Sequence, residues 1–593
     1  MTGDQAEREL AARVVSALLR ENYGNLSHHV DADAPGPALR LPGFNGPGAV
    51  LPLERDGFLA DYRVAAGAPL TLDDVRSAVA MLAGPRDADG AAVFDAECRR
   101  TLAETRLRAR SARAVGPFGS AGLPGSGGLP GSAGLPGSAG LPGSAGPPGP
   151  GGSWTGAAGQ LRYDALAAAR PHPAYPASPC RLGLEDQDLL AYAPEFWPEF
   201  ELRWAAVSKA RVTRPALRQV PGRPPWWPTP SQVGLPSGLA ETHELFPVHP
   251  LTARDRLPGV LRDVDASGPG GPVLFGPEPY LRVRPTLSVR TVAVAAHPAG
   301  HLKLPLPAST LGARNRRSIA PGTLADGGLV CRLLSGLRDR DPGLAGLLLA
   351  DDTAWAHAGH PDLGYLWRRL PPGLDDRRVV PVAALAARAP SGCLVIEELG
   401  PDVLAFAAGY FRLVFGIAVR LLVRYGIALE SHQQNAALVT GPGHPPRLLV
   451  KDFDGALINL PRLRAALGPA APAAAEFADP RLLTDTNDTL ADVFVTITVH
   501  LCAGAVAFAL AERGAAPLSA LLAAARQALE DALDAEGDAP AAALLRARVL
   551  HAPRLTGKSM LSAGTLTAKE HTGAADINKF YGTTGPNYLR ENR

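Results

Sequence analysis

Glu430-Ser431-His432-Gln433-Gln434-Asn435, the apolar run Ala436-Ala437-Leu438-Val439, a Gly- and Pro-rich turn from Gly441 to Pro446, and Leu448-Leu449-Val450-Lys451-Asp452 form the stretch that decides the reading. Two apolar runs separated by turn residues predict a loop or strand end, a strand, a hairpin turn and a second strand. That arrangement places Asn435 and Asp452 on opposite arms at one mouth of the hairpin. An amide oxygen facing a carboxylate suits a Mg2+ ion carrying a nucleotide's phosphates, which takes hard oxygen ligands and few of them from protein. Glu430 adds a third oxygen, and His432 and Gln434 alternate along the same segment, within reach of a substrate. Polar residues before a strand more often cap a loop than hold a ligand, so this cluster gains weight only from segments upstream.

Three such segments precede it. Pro285-Thr286-Leu287-Ser288-Val289-Arg290-Thr291 lies in an expected strand, Leu281 to Ala296, where Ser288 and Arg290 share one face. Lys303 falls in the next expected strand, Leu302 to Leu306, and Thr310-Leu311-Gly312-Ala313-Arg314 on a turn or helix start. Together they supply three cations and several hydroxyls, the chemistry that a triphosphate or polycarboxylate demands: Arg forks bind such oxygens in pairs and Lys acts as a point charge. Taken singly, each cation is more often a surface charge with no specific role, and Arg316 and Arg317 fit that plain reading.

The chain has 593 residues, enough for two to four domains, with 46% apolar and 20% charged residues, a globular composition. A net charge of +2 with no long basic run argues against nucleic acid as the main partner. The five cysteines (Cys98, Cys180, Cys331, Cys393, Cys502) are scattered, which predicts buried free thiols in a reducing cytoplasm. Met1 to Arg20 is charged and amphipathic, unlike a signal peptide. Val493 to Ala511 is long enough to span a membrane but contains His500 and several Thr, so a buried core helix is expected and no membrane partner. Only six of the 59 basic residues are lysines, and the Ala, Gly, Pro and Arg excess points to a GC-rich bacterial source.

Along the chain, residues 1–115 read as a small α+β unit: a helix from Glu7 to Tyr23, short strands between Arg40 and Val64, a helix opened by Thr71, and a third from Phe94 to Ala114. Residues 116–152 repeat Gly-Ser-Ala-Gly-Leu-Pro and read as a linker or insertion. Residues 153–330 are mixed, with a helix from Leu161 to Ala169. Residues 331–593 alternate strands (Arg378 to Val382, Cys393 to Glu397) with long apolar helices (Val403 to Tyr425, Leu490 to Arg513, Ala520 to Leu533, Pro540 to Val549).

The ordered set His172-Pro173…Arg181…Gly183; Phe246-Pro247-Val248-His249-Pro250; Ser288-x-Arg290-Thr291; Lys303; Thr310…Arg314; Glu430-x-His432-x-Gln434-Asn435; and Asp452 resembles the siderophore synthetases of the IucA/IucC type, from about His172 to the C-terminus. The resemblance implies an α+β multidomain fold described as a hand with thumb, fingers and palm, built of mixed and antiparallel sheets with a helical C-terminal palm. It implies an ATP- and Mg2+-dependent ligase that adenylates a carboxylate, such as citrate or a citrate or succinate derivative. An amine, hydroxylamine or alcohol then condenses with the adenylate. It also implies a cytoplasmic protein, with dimers common among relatives. Carried over, Ser288, Arg290, Thr291 and Lys303 hold ATP phosphates, and Arg314 bridges phosphate and carboxylate. Thr310 and His432 contact the carboxylate, with His432 alternatively a general base. Glu430, Asn435 and Asp452 serve Mg2+, Gln434 lies near the nucleotide, His172 lines the site, and Lys558 reaches a carboxylate. The family usually has His where Tyr175 stands, Lys where Pro179 stands and Arg where Lys451 stands. A kinase-like phosphotransferase using Asn435 and Asp452, with Lys451-Asp452-Phe453-Asp454-Gly455 as its metal loop, is the runner-up. It lacks a Gly-rich phosphate loop and a base just before Asn435. A relative that only binds is the third reading.

Overall fold

The protein is described by a computed structural model, which covers residues 3–32, 36–44, 50–115, 153–216, 222–266, 271–573 and 579–591. The repeat tract expected at 116–152 lies outside the described residues.

The N-terminal unit opens with α1 (Gly3–Arg20), whose Leu10, Val14 and Leu18 fall on one face and are buried. An antiparallel sheet follows: β1 (Val30–Asp31), β2 (Ala38–Leu39), β3 (Leu51–Arg55) and β4 (Tyr62–Val64). Then come α2 (Leu72–Ala83) and α3 (Ala88–Val115). Thr71 caps α2 by accepting from Asp74 N while the Asp74 carboxylate accepts from Thr71 N, the reciprocal arrangement that its sequence predicts. The core of this unit also takes in Tyr175, Ala177, Leu561 and Leu566, so distant parts of the chain are packed into it.

After α4 (Gly156–Ala168) comes the main sheet, antiparallel throughout. Its strands are β5 (Phe200–Ser208), β6 (His243–Val248), β7 (Leu274–Phe275), β8 (Tyr280–Pro285), β9 (Thr291–Val294) and β10 (His297–Lys303). Beyond β11 (Leu347–Leu349) it is completed by β12 (Asp351–His360) and β13 (Leu363–Arg369), in the order β12-β13-β10-β9-β8-β5-β6 with β7 beside β5. A four-stranded sheet combines β11, parallel to β17, with β14 (Arg378–Pro381) and the hairpin β16 (Ala436–Gly441) and β17 (His444–Val450). Smaller sheets join β15 (Ile427–Ala428), β18 (Leu457–Asn459) and β19 (Leu483–Thr484), and β20 (Arg554–Gly557) with β21 (Thr583–Pro586). The architecture is thus α+β with several mixed and antiparallel sheets.

The deciding hairpin forms, with a tighter turn than expected. Ala436 pairs with Val450 and Gly441 with His444, which leaves a two-residue loop whose Gly443 has φ +72°. Four expectations change. The single strand from Leu281 to Ala296 is two strands, because Thr286 N and Oγ1 both donate to Thr291 O at 2.9 Å and Val289 turns through φ 61°. The strand expected to run from Leu302 to Leu306 ends at Lys303. Cys393 to Glu397 is not a strand: the Glu397 carboxylate accepts from Leu394 N and starts a short helix, Val395–Leu399, and Cys393 is exposed while the other four thiols are buried. The boundary expected at 330 falls inside the helix Pro321–Arg340, and the main sheet draws β12 and β13 from beyond it.

Among the described residues two helices are long and apolar enough to cross a membrane, Val403–Tyr425 and Asn487–Glu512. Both contribute to the largest hydrophobic core, and the apolar window of the second is 89% buried inside the protein. In the main sheet, Trp204 is fully buried, packs edge-on against Trp227 at 5.2 Å and donates its Nε1–H to Tyr280 O. Trp204→Ala should therefore cost about 3–5 kcal/mol, read as a lower denaturant midpoint for the unfolding of this sheet.

Candidate functional site

A cleft of about 1030 Å³ lies where α1, the β8–β9 turn, the 310–317 loop, the hairpin mouth and the C-terminal segment meet. The β8–β9 turn sets Ser288 and Arg290 at its edge, in a reversal of the chain and not on the face of one strand. Arg290 is held by a bond from its Nη1 to Ser318 O at 2.8 Å, and Leu304 N donates to its carbonyl. Gln434 ties this turn to the hairpin by donating to Leu287 O at 3.0 Å.

The 310–314 loop lies on the C-terminal segment. Gly312 has φ +114°, and a Cβ there would stand 2.8 Å from Gly564 Cα, so only glycine fits. That contact lets Arg314 N donate to Gly564 O at 3.0 Å and Arg314 Nη1 to Ala563 O at 3.2 Å.

At the hairpin mouth, Lys451 N donates to Asn435 O, which closes the ladder beyond Ala436 and Val450. His432 to Asn435 form a turn rather than an extended strand end, since Asn435 N and Ala436 N both donate to His432 O. Asp452 follows with φ 67°, which swings its carboxylate toward the main sheet. Lys303 Nζ meets Asp452 Oδ1 at 2.5 Å and Asp454 Oδ2 at 3.1 Å. Arg368, from β13, forks onto Asp352 at 2.6 and 2.7 Å and reaches Asp452 Oδ1 at 3.2 Å, while Asp452 N donates to Asp352. Burial alone would push the Asp452 carboxyl up, but Lys303, Arg368 and Arg290 outweigh it and hold it far below the usual carboxylate range.

The two histidines stay neutral. Burial, helped by His432, pushes His172 down to about 3, and burial, helped by Lys558, pushes His432 down to about 4. His172 Nδ1 accepts from Ala174 N and Tyr175 N, so its proton sits on Nε2 and the ring offers a donor. Lys558 stands 3.8 Å from Glu430.

Of the residues singled out from sequence, His172, Ser288, Arg290, Thr310, Arg314, Glu430, His432, Gln434, Asn435, Asp452 and Lys558 line this one cleft. Lys303 and Thr291 do not: both are 3% exposed, Lys303 sits behind the two aspartates, and Thr291 Oγ1 contacts Ser288 Oγ at 3.4 Å. His249 is buried and caps a short helix by accepting from Leu251 N, a folding role. Arg317, read from sequence as a plain surface charge, and Asp454, named only in the metal loop of the kinase-like alternative, also line the cleft. Arg317 is half-buried, donates from Nη2 to Thr310 O at 3.3 Å, is pushed down to about 9 by burial and then by Arg290, and its Nε has no protein partner. Nothing in the sequence tells it apart from Arg316 beside it. Arg13 and Arg20 of α1 add cations from the N-terminal unit.

An α+β chain of several sheets with a cation-lined, carboxylate-bearing cleft is the class that fold and site define. The IucA / IucC family matches residues 161–387, and the family described as ferric iron reductase FhuF-like transporter matches residues 404–573. Among curated relatives, rhizobactin siderophore biosynthesis protein RhbF of Rhizobium meliloti is 29% identical over 319 residues, 48% of this chain and 52% of the relative. Aerobactin synthase of Escherichia coli is 27% identical over 317 residues, 48% of this chain and 53% of the relative. By these alignments the chain spans about half the length of the curated relatives it matches. Among solved structures, petrobactin biosynthesis protein AsbB from Bacillus anthracis aligns with TM-score 0.71 at 16% identity over 99% of this chain and 96% of that one. Aerobactin synthetase IucC of Klebsiella pneumoniae aligns at 0.67 and 21% over 93% and 95%, and ATP-bound aerobactin synthetase IucA of the same organism at 0.67 and 16% over 98% and 100%. The match over residues 161–387 places that part of the chain in the IucA / IucC family.

Two measurements test the electrostatics. Asp352→Ala strands the buried Arg368 and should cost about 3–5 kcal/mol in a denaturation series. His432 has a lower pKa folded than unfolded, so the unfolded chain binds the extra proton, and this residue's contribution to stability falls as pH drops from about 6.5 to about 4. His432→Gln should therefore lose less Tm than the wild type across that window.

Proposed function

We propose that the chain is a bacterial, cytoplasmic ligase of siderophore assembly that adenylates an organic acid with ATP and passes the acyl group to an amine, hydroxylamine or alcohol. One observation carries the reading: Arg290, Arg314 and Arg317 converge with Glu430, Asn435, Asp452 and Asp454 on a cleft that also holds His172, His432, Thr310 and Lys558. The cations suit a triphosphate, and the neutral histidine donors with Lys558 suit a polycarboxylate beside it. The relatives named for rhizobactin and aerobactin assembly, and the ATP named in one solved neighbour, point the same way. We read the N-terminal unit, the main-sheet unit and the C-terminal helices as the thumb, fingers and palm of this family, whose members commonly form homodimers.

The donor set fits Mg2+. Among the described residues no group of three or more His, Cys, Asp or Glu is arranged to hold a metal. The set here is instead two carboxylates and an amide, with Lys303 and Arg368 already engaging Asp452 Oδ1 and Lys303 engaging Asp454 Oδ2. That leaves Asp452 Oδ2, Asp454 Oδ1 and Asn435 Oδ1, with Glu430 beside them: few hard oxygens, as this ion prefers when phosphates supply the rest. When bound, the ion would neutralise charge on the phosphates.

In the first step a carboxylate oxygen of the acid attacks the α-phosphorus and the bond to pyrophosphate breaks. Arg290 and Arg317 act on charge that grows at phosphorus and on the departing pyrophosphate. Arg314 stands between phosphate and acid and offsets their repulsion. In the second step the nucleophile attacks the acyl carbon, AMP leaves and the nucleophile loses a proton. His432, at about 4, is a poor match for taking that proton near neutrality, so its role is to contact the acid. The segment matched by the FhuF-like family contains one cysteine, Cys502, whose thiol is buried and donates to Ser431 O, so four thiolates for an iron–sulfur cluster do not exist there.

Arg290→Ala and Asp452→Ala should stay folded and lose pyrophosphate release with ATP, Mg2+ and citrate or a citrate or succinate derivative; wild-type rates in either would refute the site. Arg317→Met should raise the ATP KM by about tenfold, as expected for one lost charge-assisted bond, with less effect on the acid KM. AMP as product supports the ligase, whereas ADP would support the kinase-like alternative.

A further inference from the structure

We propose that Glu97, on α3 of the N-terminal unit, is a positioning residue that clamps the His172 segment and the Arg314 loop to a single carboxylate. Glu97 does not line the cleft and is 1% exposed. Its Oε2 accepts from Tyr175 OH at 2.6 Å and its Oε1 from Thr565 Oγ1 at 2.8 Å. Each partner leads to the site in one further step. Tyr175 N donates to His172 Nδ1 at 3.0 Å, which fixes the tautomer that presents the His172 Nε2–H. Thr565 Oγ1 accepts from Ala313 N at 3.0 Å, next to the bonds that Arg314 makes to Gly564 O and Ala563 O. The two hydroxyls lie 3.2 Å apart, so both bonds converge on one anchor.

A plain core carboxylate would not need two hydroxyl donors from segments 390 residues apart, each next to a cleft residue. Burial pushes Glu97 up to about 7, against the hydrogen bonds from Tyr175 and Thr565 and the nearby Arg314; Cys98 and Cys180 are the other titratable groups facing it. The residue at 175 matters for the same reason: it is fully buried at the cleft wall, and as tyrosine it supplies the phenol that Glu97 holds.

The functional part of this inference rests on the ligase reading, and the structural part does not. The test is hydrogen–deuterium exchange and steady-state kinetics on the full chain for Glu97→Gln, Tyr175→Phe and Thr565→Val. Glu97→Gln removes the charge from the shared anchor and leaves one accepting oxygen for two hydroxyls, so amide exchange should rise about tenfold in both 172–178 and 310–316. Tyr175→Phe should raise it only in the first segment and Thr565→Val only in the second. In Glu97→Gln the KM for the acid should rise about tenfold while that for ATP changes less than twofold. Wild-type exchange in both segments, or an equal rise in both KM values, overturns the clamp. If the wild type activates no acid, the ligase reading falls, and the segment-selective exchange pattern still decides the clamp.

Discussion

Asp452 is a half-buried carboxylate held between two buried cations, and the site is built around that constraint. Removing such a group from water costs several kcal/mol unless partners repay it. The main sheet repays it: β10 ends on Lys303, β13 brings Arg368, and β12 brings Asp352 to orient Arg368. The hairpin sheet supplies the acid, with its backbone bent to φ 67° to deliver it. Ala350 N donating to Val450 O carries the same junction into the backbone. Two sheets that share no strand are thus locked by charge at the point where the cleft opens.

From that junction outward the charges are arranged in a gradient. Lys303 and Arg368 face inward and stabilise the acids, while Arg290, Arg314 and Arg317 keep guanidinium nitrogens toward the cleft. The neutral histidines line the same cleft with Lys558 near both of them. This division explains why Lys303, expected as a phosphate ligand, is instead the counter-ion of Asp452 and Asp454.

Much of this was legible in the chain. The hairpin followed from two apolar runs and a Gly-Pro turn, and eleven of the thirteen residues picked from motifs line one cleft. What stayed hidden depends on tertiary structure. Val289 carries a β-branched side chain at φ 61°, a conformation that propensity argues against, so the turn holding Ser288 and Arg290 read as strand. β12 alternates and β13 is buried nearly throughout, but nothing local says that they complete a sheet begun far upstream at β5. Arg314, Arg316 and Arg317 are equivalent as letters; only the loop's path over Gly564 shows which of them face the cleft. Glu97 sits in a charged helix where a carboxylate is ordinary until its burial is known.

The most direct test of the central claim is exchange of labelled pyrophosphate into ATP by the wild-type protein, measured with Mg2+ across a panel of organic acids. A gripped triphosphate beside a bound acid predicts exchange that depends on one acid and proceeds without any nucleophile. Exchange without acid-dependence, or ADP formation in its place, would contradict the account.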